Sequence, residues 1–177
     1  MPGLGDSPPD HWQSLWERGE PAIERVVQRD SLDPDRDEWI DAVEAIVLAR
    51  PGRCVLIGHS LGCGTIAQWA HLRSANRCVG AFLVAPSDIP ALPYQRDVAT
   101  FLPMPAGPLP FPSLVVTSDN DPYVTLAKAR TFAAEWGSRI VEVPDAGHIY
   151  AESGHGPWPE GLALLDGFIH DLEREEL

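Results

Sequence analysis

The chain has 177 residues and a formal net charge of −13, from 26 acidic and 13 basic side chains. With 44% hydrophobic and 22% charged residues it has a globular composition, and its length suffices for one buried core without metal or disulfide staples. That charge offers no basic surface to phosphate backbones or anionic lipid, and no apolar run reaches the roughly 18 residues of a membrane helix, so neither nucleic acid nor a membrane is an expected partner.

Residues 9–18 (PDHWQSLWER) place Trp12, Leu15 and Trp16 on one side of a short helix. Residues 23–27 predict a strand. Trp39, Ile40, Val43, Ile46 and Val47 recur at helical spacing over 37–49, and Pro51-Gly52 ends that helix. Cys54 to Ile57 is a continuous apolar run, as a strand buried on both faces requires. A helix over 61–72 and a strand over 79–84 follow. Residues 86–112 hold eight prolines with Tyr94, Phe101 and Phe111. The stretch is too long and too apolar for a plain connector and reads as a lid or a pocket wall. A strand over 114–117, a helix over 124–136 and a strand over 140–143 come next. Leu162, Leu165, Phe168, Ile169 and Leu172 form a closing amphipathic helix.

Strand and helix alternate to the end of the chain, which predicts one α/β domain over 1–177: a parallel sheet with helices on both faces, in three layers. Ligands of such sheets sit at the carboxyl ends of the strands, so the loops after residues 57, 84, 117 and 143 are the places to look. The three cysteines, Cys54, Cys63 and Cys78, lack zinc-ligand spacing, and no signal peptide opens the chain. A reducing cytoplasm is the expected compartment.

The first of those loops is Gly58-His59-Ser60-Leu61-Gly62, a G-x-S-x-G between a buried strand and a helix. A sharp turn there lifts a serine hydroxyl above the sheet and aims the following backbone N–H, that of Leu61, the same way. Serine needs a base, and the base needs an orienting acid. The loop after 117 offers Asp119, Asn120 and Asp121; Asp121 is preferred over Asp119, and an aspartate here also suits a helix cap. The EF-hand glycine and distal glutamate are missing, so calcium is not expected. His148, directly after the last strand, is the candidate base; His155 lies in a Gly-rich loop and His59 is expected to point away. A second oxyanion donor is expected from residues 2–5, at the Leu4 amide first and Gly5 next, against a disordered amino terminus as the alternative.

Taken together, the segments PGLGDSPPDHWQSLWE, IGHSLG, TSDNDPYV and DAGHIYAESGHGPWPEG resemble the small serine hydrolase family of the α/β-hydrolase superfamily, which includes retinoblastoma-binding protein nine and bacterial relatives. The resemblance spans essentially the whole chain and implies a compact α/β-hydrolase fold with Ser60 as nucleophile, Asp121 as acid and His148 as base. It further implies that His11, Trp12 and Trp158 lie near the substrate. The family's members begin with a short apolar strand before the Pro-Gly loop, between the strands expected at 23–27 and 54–57; here Met1 adjoins Pro2, and an upstream start or a trimmed chain is expected. The L-x-C-x-E motif associated with retinoblastoma binding is not met by Leu61-Gly62-Cys63-Gly64-Thr65, so that partner is not expected.

The expected reaction is hydrolysis of a small carboxylic ester or amide through an acyl-enzyme, with no metal or organic cofactor. A catalytically quiet binding module on the same fold and acyl transfer to an acceptor other than water are the rival readings.

Overall fold

The structure is a computed structural model and describes residues 1–93 and 96–175. Four parallel strands form one sheet in the order β1 (Cys54–His59), β2 (Cys78–Val84), β3 (Ser113–Ser118) and β4 (Arg139–Val143). Side chains alternate across such a sheet, and here both faces are buried. Ala81, Leu83 and Val115 point into one core, and Phe82, Val84, Leu114 and Val116 into the other. Each large side chain buried this way contributes roughly 1.5–3 kcal/mol.

The first core is covered by α2 (Arg36–Ala49), α3 (Leu61–Leu72) and α4 (Leu126–Trp136), through Trp39, Val43, Ile66, Trp69, Phe132 and Trp136. The second is covered by α1 (Trp12–Gly19) and α5 (Pro159–Glu175), through Trp12, Trp16, Leu165 and Phe168. This is the expected three-layer arrangement. Local chemistry sets the helix ends: Asp35 accepts the Glu38 N–H, Thr125 accepts the Lys128 N–H, and Gly137 closes α4 at φ 67°. α5 lies against Gly80, where a Cβ would fall 2.7 Å from Leu172. No helix among the described residues is long and apolar enough to cross a membrane.

Residues 23–27 do not form the expected strand. Arg25 is drawn instead to α1 and the amino-terminal loop, donating to Glu17 at 2.9 Å, to Asp6 at 2.6 Å and to the Ser7 carbonyl at 3.1 Å. Side-chain bonds hold the segment in place of a ladder. A cleft of about 580 Å³ separates it from β1, lined in part by Ile23, Val26, Val55, Ile57, Leu162 and Ile169. At one end of that cleft Met1 pairs with β1, its N–H donating to Ile57 O at 2.7 Å and its carbonyl accepting from His59 N–H at 3.2 Å.

Along most of its described length the stretch over 86–112 is part of the core. Ile89, Leu92, Val98, Phe101, Leu109 and Phe111 are buried in the first core, and Trp136 Nε1 donates to Pro105 O at 3.1 Å. Its apolar residues close the core over α3 and α4; Tyr94 lies outside the described residues.

Candidate active site

Ser60 sits between β1 and α3 with φ 56° and ψ −124°, a backbone state that costs roughly 1–3 kcal/mol and needs outside support. Its own N–H donates to Val84 O at 3.0 Å, tying the turn to β2. The flanking glycines are needed for space: a Cβ at Gly58 would lie 2.9 Å from Ile66, and one at Gly62 would lie 2.5 Å from Met1 O. The turn therefore requires the G-x-S-x-G spacing. The Leu61 N–H opens α3, where negative charge is favoured, and no described group accepts it.

The loops after β3 and β4 are joined residue by residue. The Asp145 N–H donates to Asp119 Oδ1 at 2.9 Å, the Ala146 N–H to Ser118 Oγ at 2.9 Å, and the Gly147 N–H to Asn120 Oδ1 at 2.6 Å. The next residue, His148, brings its Nδ1 to 2.9 Å and 3.1 Å from the two Asp121 carboxylate oxygens. Asp121 Oδ1 also accepts the Tyr123 N–H at 2.8 Å, and its side chain is fully buried. With Asp121 ionised, the proton of neutral His148 belongs on Nδ1, which leaves Nε2 as the basic atom. Asp119 and Asn120 hold the backbone that presents the ring, a role the sequence alone did not distinguish from that of Asp121.

His59 does not point away. Its Nε2 lies 3.0 Å from His148 O, and the two rings are 4.8 Å apart. Tyr123 meets the His148 ring edge-on at 4.6 Å. His155 is elsewhere, bonded to Ser153 Oγ and packed against Trp158.

The amino-terminal loop abuts the serine. A Cβ at Gly3 would fall 2.8 Å from Ser60 Cβ. The Gly5 N–H is committed to Ser31 O at 2.7 Å, whereas the Leu4 N–H has no acceptor among the described residues. Ser60 Oγ is hydrogen-bonded to Ser87 Oγ at 2.8 Å and makes no direct hydrogen bond to His148. Ser87 was missed by sequence reasoning, although the loop after residue 84 was marked by the topology.

His11, Trp12 and Trp158 are buried, at 3%, 0% and 4% exposure. Trp12 Nε1 donates to Ile149 O at 2.9 Å, next to His148, and Trp158 packs against both Trp12 and Trp16. His11 accepts the Gln13 N–H and packs on His59; burial pushes its pKa down to about 4. Trp12 and Trp158 thus pack against the histidine loop, and His11 against His59. Among the described residues no group of three or more His, Cys, Asp or Glu side chains is arranged to hold a metal ion.

The profile of a family described as serine hydrolase matches residues 1–167. No curated protein matches the chain. A solved structure described as a YdeN-like hydrolase, from Pectobacterium atrosepticum, is 35% identical, with a TM-score of 0.86 over 97% of this chain and 89% of its own. The ydeN gene product of Bacillus subtilis is 18% identical, with a TM-score of 0.75 over 95% of each chain, and shares the fold. A monoacylglycerol lipase from Paleococcus ferrophilus shares it as well, at 15% identity and a TM-score of 0.62 over 84% of each chain.

Proposed function

Because the chain belongs to the serine hydrolase family of the α/β-hydrolase superfamily, we propose that it cleaves small carboxylic esters or amides through Ser60, His148 and Asp121. The observation that carries this reading is the buried Asp121–His148 pair, with Nδ1 and carboxylate 2.9 Å apart, at the strand ends where the strained Ser60 turn also lies. His59, adjacent to Ser60 in the chain, contacts His148, which supports this reading.

In the proposed cycle His148 Nε2 takes the Ser60 proton as Oγ attacks the substrate carbonyl. The tetrahedral oxyanion meets the Leu61 and Leu4 N–H groups. His148 returns the proton to the departing alcohol or amine, leaving an acyl-Ser60 ester. Water, deprotonated by the same nitrogen, attacks that ester, and Ser60 recovers its proton as the carboxylic acid leaves. Asp121 holds the tautomer and stabilises the imidazolium. Bonds between Ser60 and His148 commonly tighten only with substrate present, so the Ser60–Ser87 contact is compatible with this cycle.

Treatment with a fluorophosphonate probe tests the reading. Labelling is expected in the wild type and lost in Ser60→Ala and His148→Ala. A folded wild type that does not label would overturn the hydrolytic mechanism and favour the binding-module alternative.

A further inference from the structure

The Ser60 hydroxyl makes one hydrogen bond among the described residues, to Ser87 Oγ at 2.8 Å. Ser87 is 5% exposed, and Ser60 is the only described partner of its hydroxyl. The backbone around Ser87 is pinned on both sides. Ala85, at φ 51°, donates its N–H to Val116 O at 2.8 Å, and Asp88 donates its N–H to Tyr123 O at 3.0 Å. Tyr123 in turn packs on His148 and donates to Asp121. Ser87 is thus fixed to the same framework that holds the acid and the base, not left on a free loop.

We propose that Ser87 is a positioning residue for the nucleophile, donating its hydroxyl hydrogen to Ser60 Oγ. The proposal rests on Ser60 being the nucleophile. The direction of the bond follows from the proton inventory. A hydroxyl has one proton to give and two lone pairs to offer. A Ser60 proton given to Ser87 is not available to His148. With Ser87 as donor, Ser60 keeps its proton for His148 Nε2 and its oxygen is held in place. As that proton leaves and negative charge gathers on Oγ, the Ser87 bond becomes charge-assisted and strengthens. It therefore acts more on the transition state than on the ground state, which lowers kcat when it is lost and leaves KM alone. The same bond supports Ser60 Oγ as it departs from the acyl-enzyme. No covalent bond to Ser87 forms in the cycle.

The experiment compares Ser87→Ala, Ser87→Gly and Ser87→Thr with the wild type. It measures fluorophosphonate labelling rates and p-nitrophenyl acetate turnover, with thermal midpoints as the check on folding. Ala and Gly are expected to lower both the labelling rate and kcat roughly 10- to 100-fold, with KM within about twofold. Thr, which restores the hydroxyl, is expected to recover most of the loss. A folded Ser87→Ala that labels as fast as the wild type, or faster, overturns the proposal. So does a Thr variant that is folded yet no better than Ala. A wild type that does not label at all overturns the reading of Ser60 instead, and is distinguished because it needs no Ser87 variant to be seen.

Discussion

Asn120 Oδ1 accepts the Gly147 N–H at 2.6 Å, so a side chain outside the Asp121–His148 pair holds the backbone next to His148. Asn120→Ala removes that acceptor and leaves the Gly147 N–H to water. The expected result is a fall in kcat of about tenfold, in line with the loss of one positioning hydrogen bond, with KM little changed. Asn120→Asp, which keeps the oxygen, is expected to retain most of the activity. Steady-state kinetics on both variants checks this.

Asp119 and Asp121 stand two residues apart but hold different partners, a backbone N–H in one case and the His148 ring in the other. Asp121→Asn is expected to lower kcat by about 10⁴-fold through the wrong imidazole tautomer. Asp119→Ala removes a solvent-exposed bond and is expected to cost about 1 kcal/mol of stability with little effect on rate. Equal losses in the two variants would contradict this division.

Gly3 has no room for a side chain beside Ser60, with 2.8 Å to Ser60 Cβ. In Gly3→Ala the loop must retreat from Ser60, and the Leu4 N–H with it, which on the proposed mechanism weakens the oxyanion site. Losing one oxyanion donor costs about 10²–10³ in kcat. Turnover of an activated ester, beside a thermal melt, measures it.

Buried histidines give the stability a pH dependence. Burial lowers His11 to about 4 and holds His59 well below its ordinary value. Between pH 4 and 6.5 the unfolded chain binds more protons than the folded one, so stability rises with pH across that window. It is fully present above about 6.5 and is lost as the pH falls toward 4. For His11 the full span corresponds to about 3 kcal/mol, of which about 2 is lost by pH 5. Urea unfolding at pH 7 and pH 5 should show the drop, and His11→Asn, which keeps an acceptor for the Gln13 N–H, should reduce it.

Among the cysteines, Cys54 is half-buried on β1, and the neighbouring Cys78 thiol lowers its pKa below the ordinary thiol value. Burial raises Cys63, and the Cys54 contact together with burial raises Cys78. Only thiolates alkylate readily. Iodoacetamide at pH 7.5 is expected to modify Cys54 first, with peptide mass mapping as the readout; faster modification of Cys63 would contradict the assignment.

Much of the fold is legible in the sequence because its strands β1 to β3 lie between two cores and so are spelled as apolar runs. VLI, FLV and LVV need no partner information to be recognised. The segment over 23–27 misleads for the opposite reason. Its strand-like residues find no ladder partner among the described residues, and Arg25 within it bonds Asp6 and Glu17, partners that only the tertiary fold supplies. Residues 86–112 show their apolarity in the sequence but not what they pack against, which is the core over α3 and α4. At the site, the order Ser, Asp, His follows the chain. The contacts of Ser87, Ser118, Asn120 and His59 depend on which strand ends lie side by side, and no local pattern announces them.

The joining of 118–121 to 145–148 has a practical reach beyond this chain. Four side-chain contacts are in fixed correspondence with four consecutive residues, so the two stretches form one interchangeable cassette. A graft that moves either alone, or that adds a single residue to one side, breaks every correspondence at once. Loop shuffling among relatives should therefore carry both stretches together, and leave length changes to other surface loops.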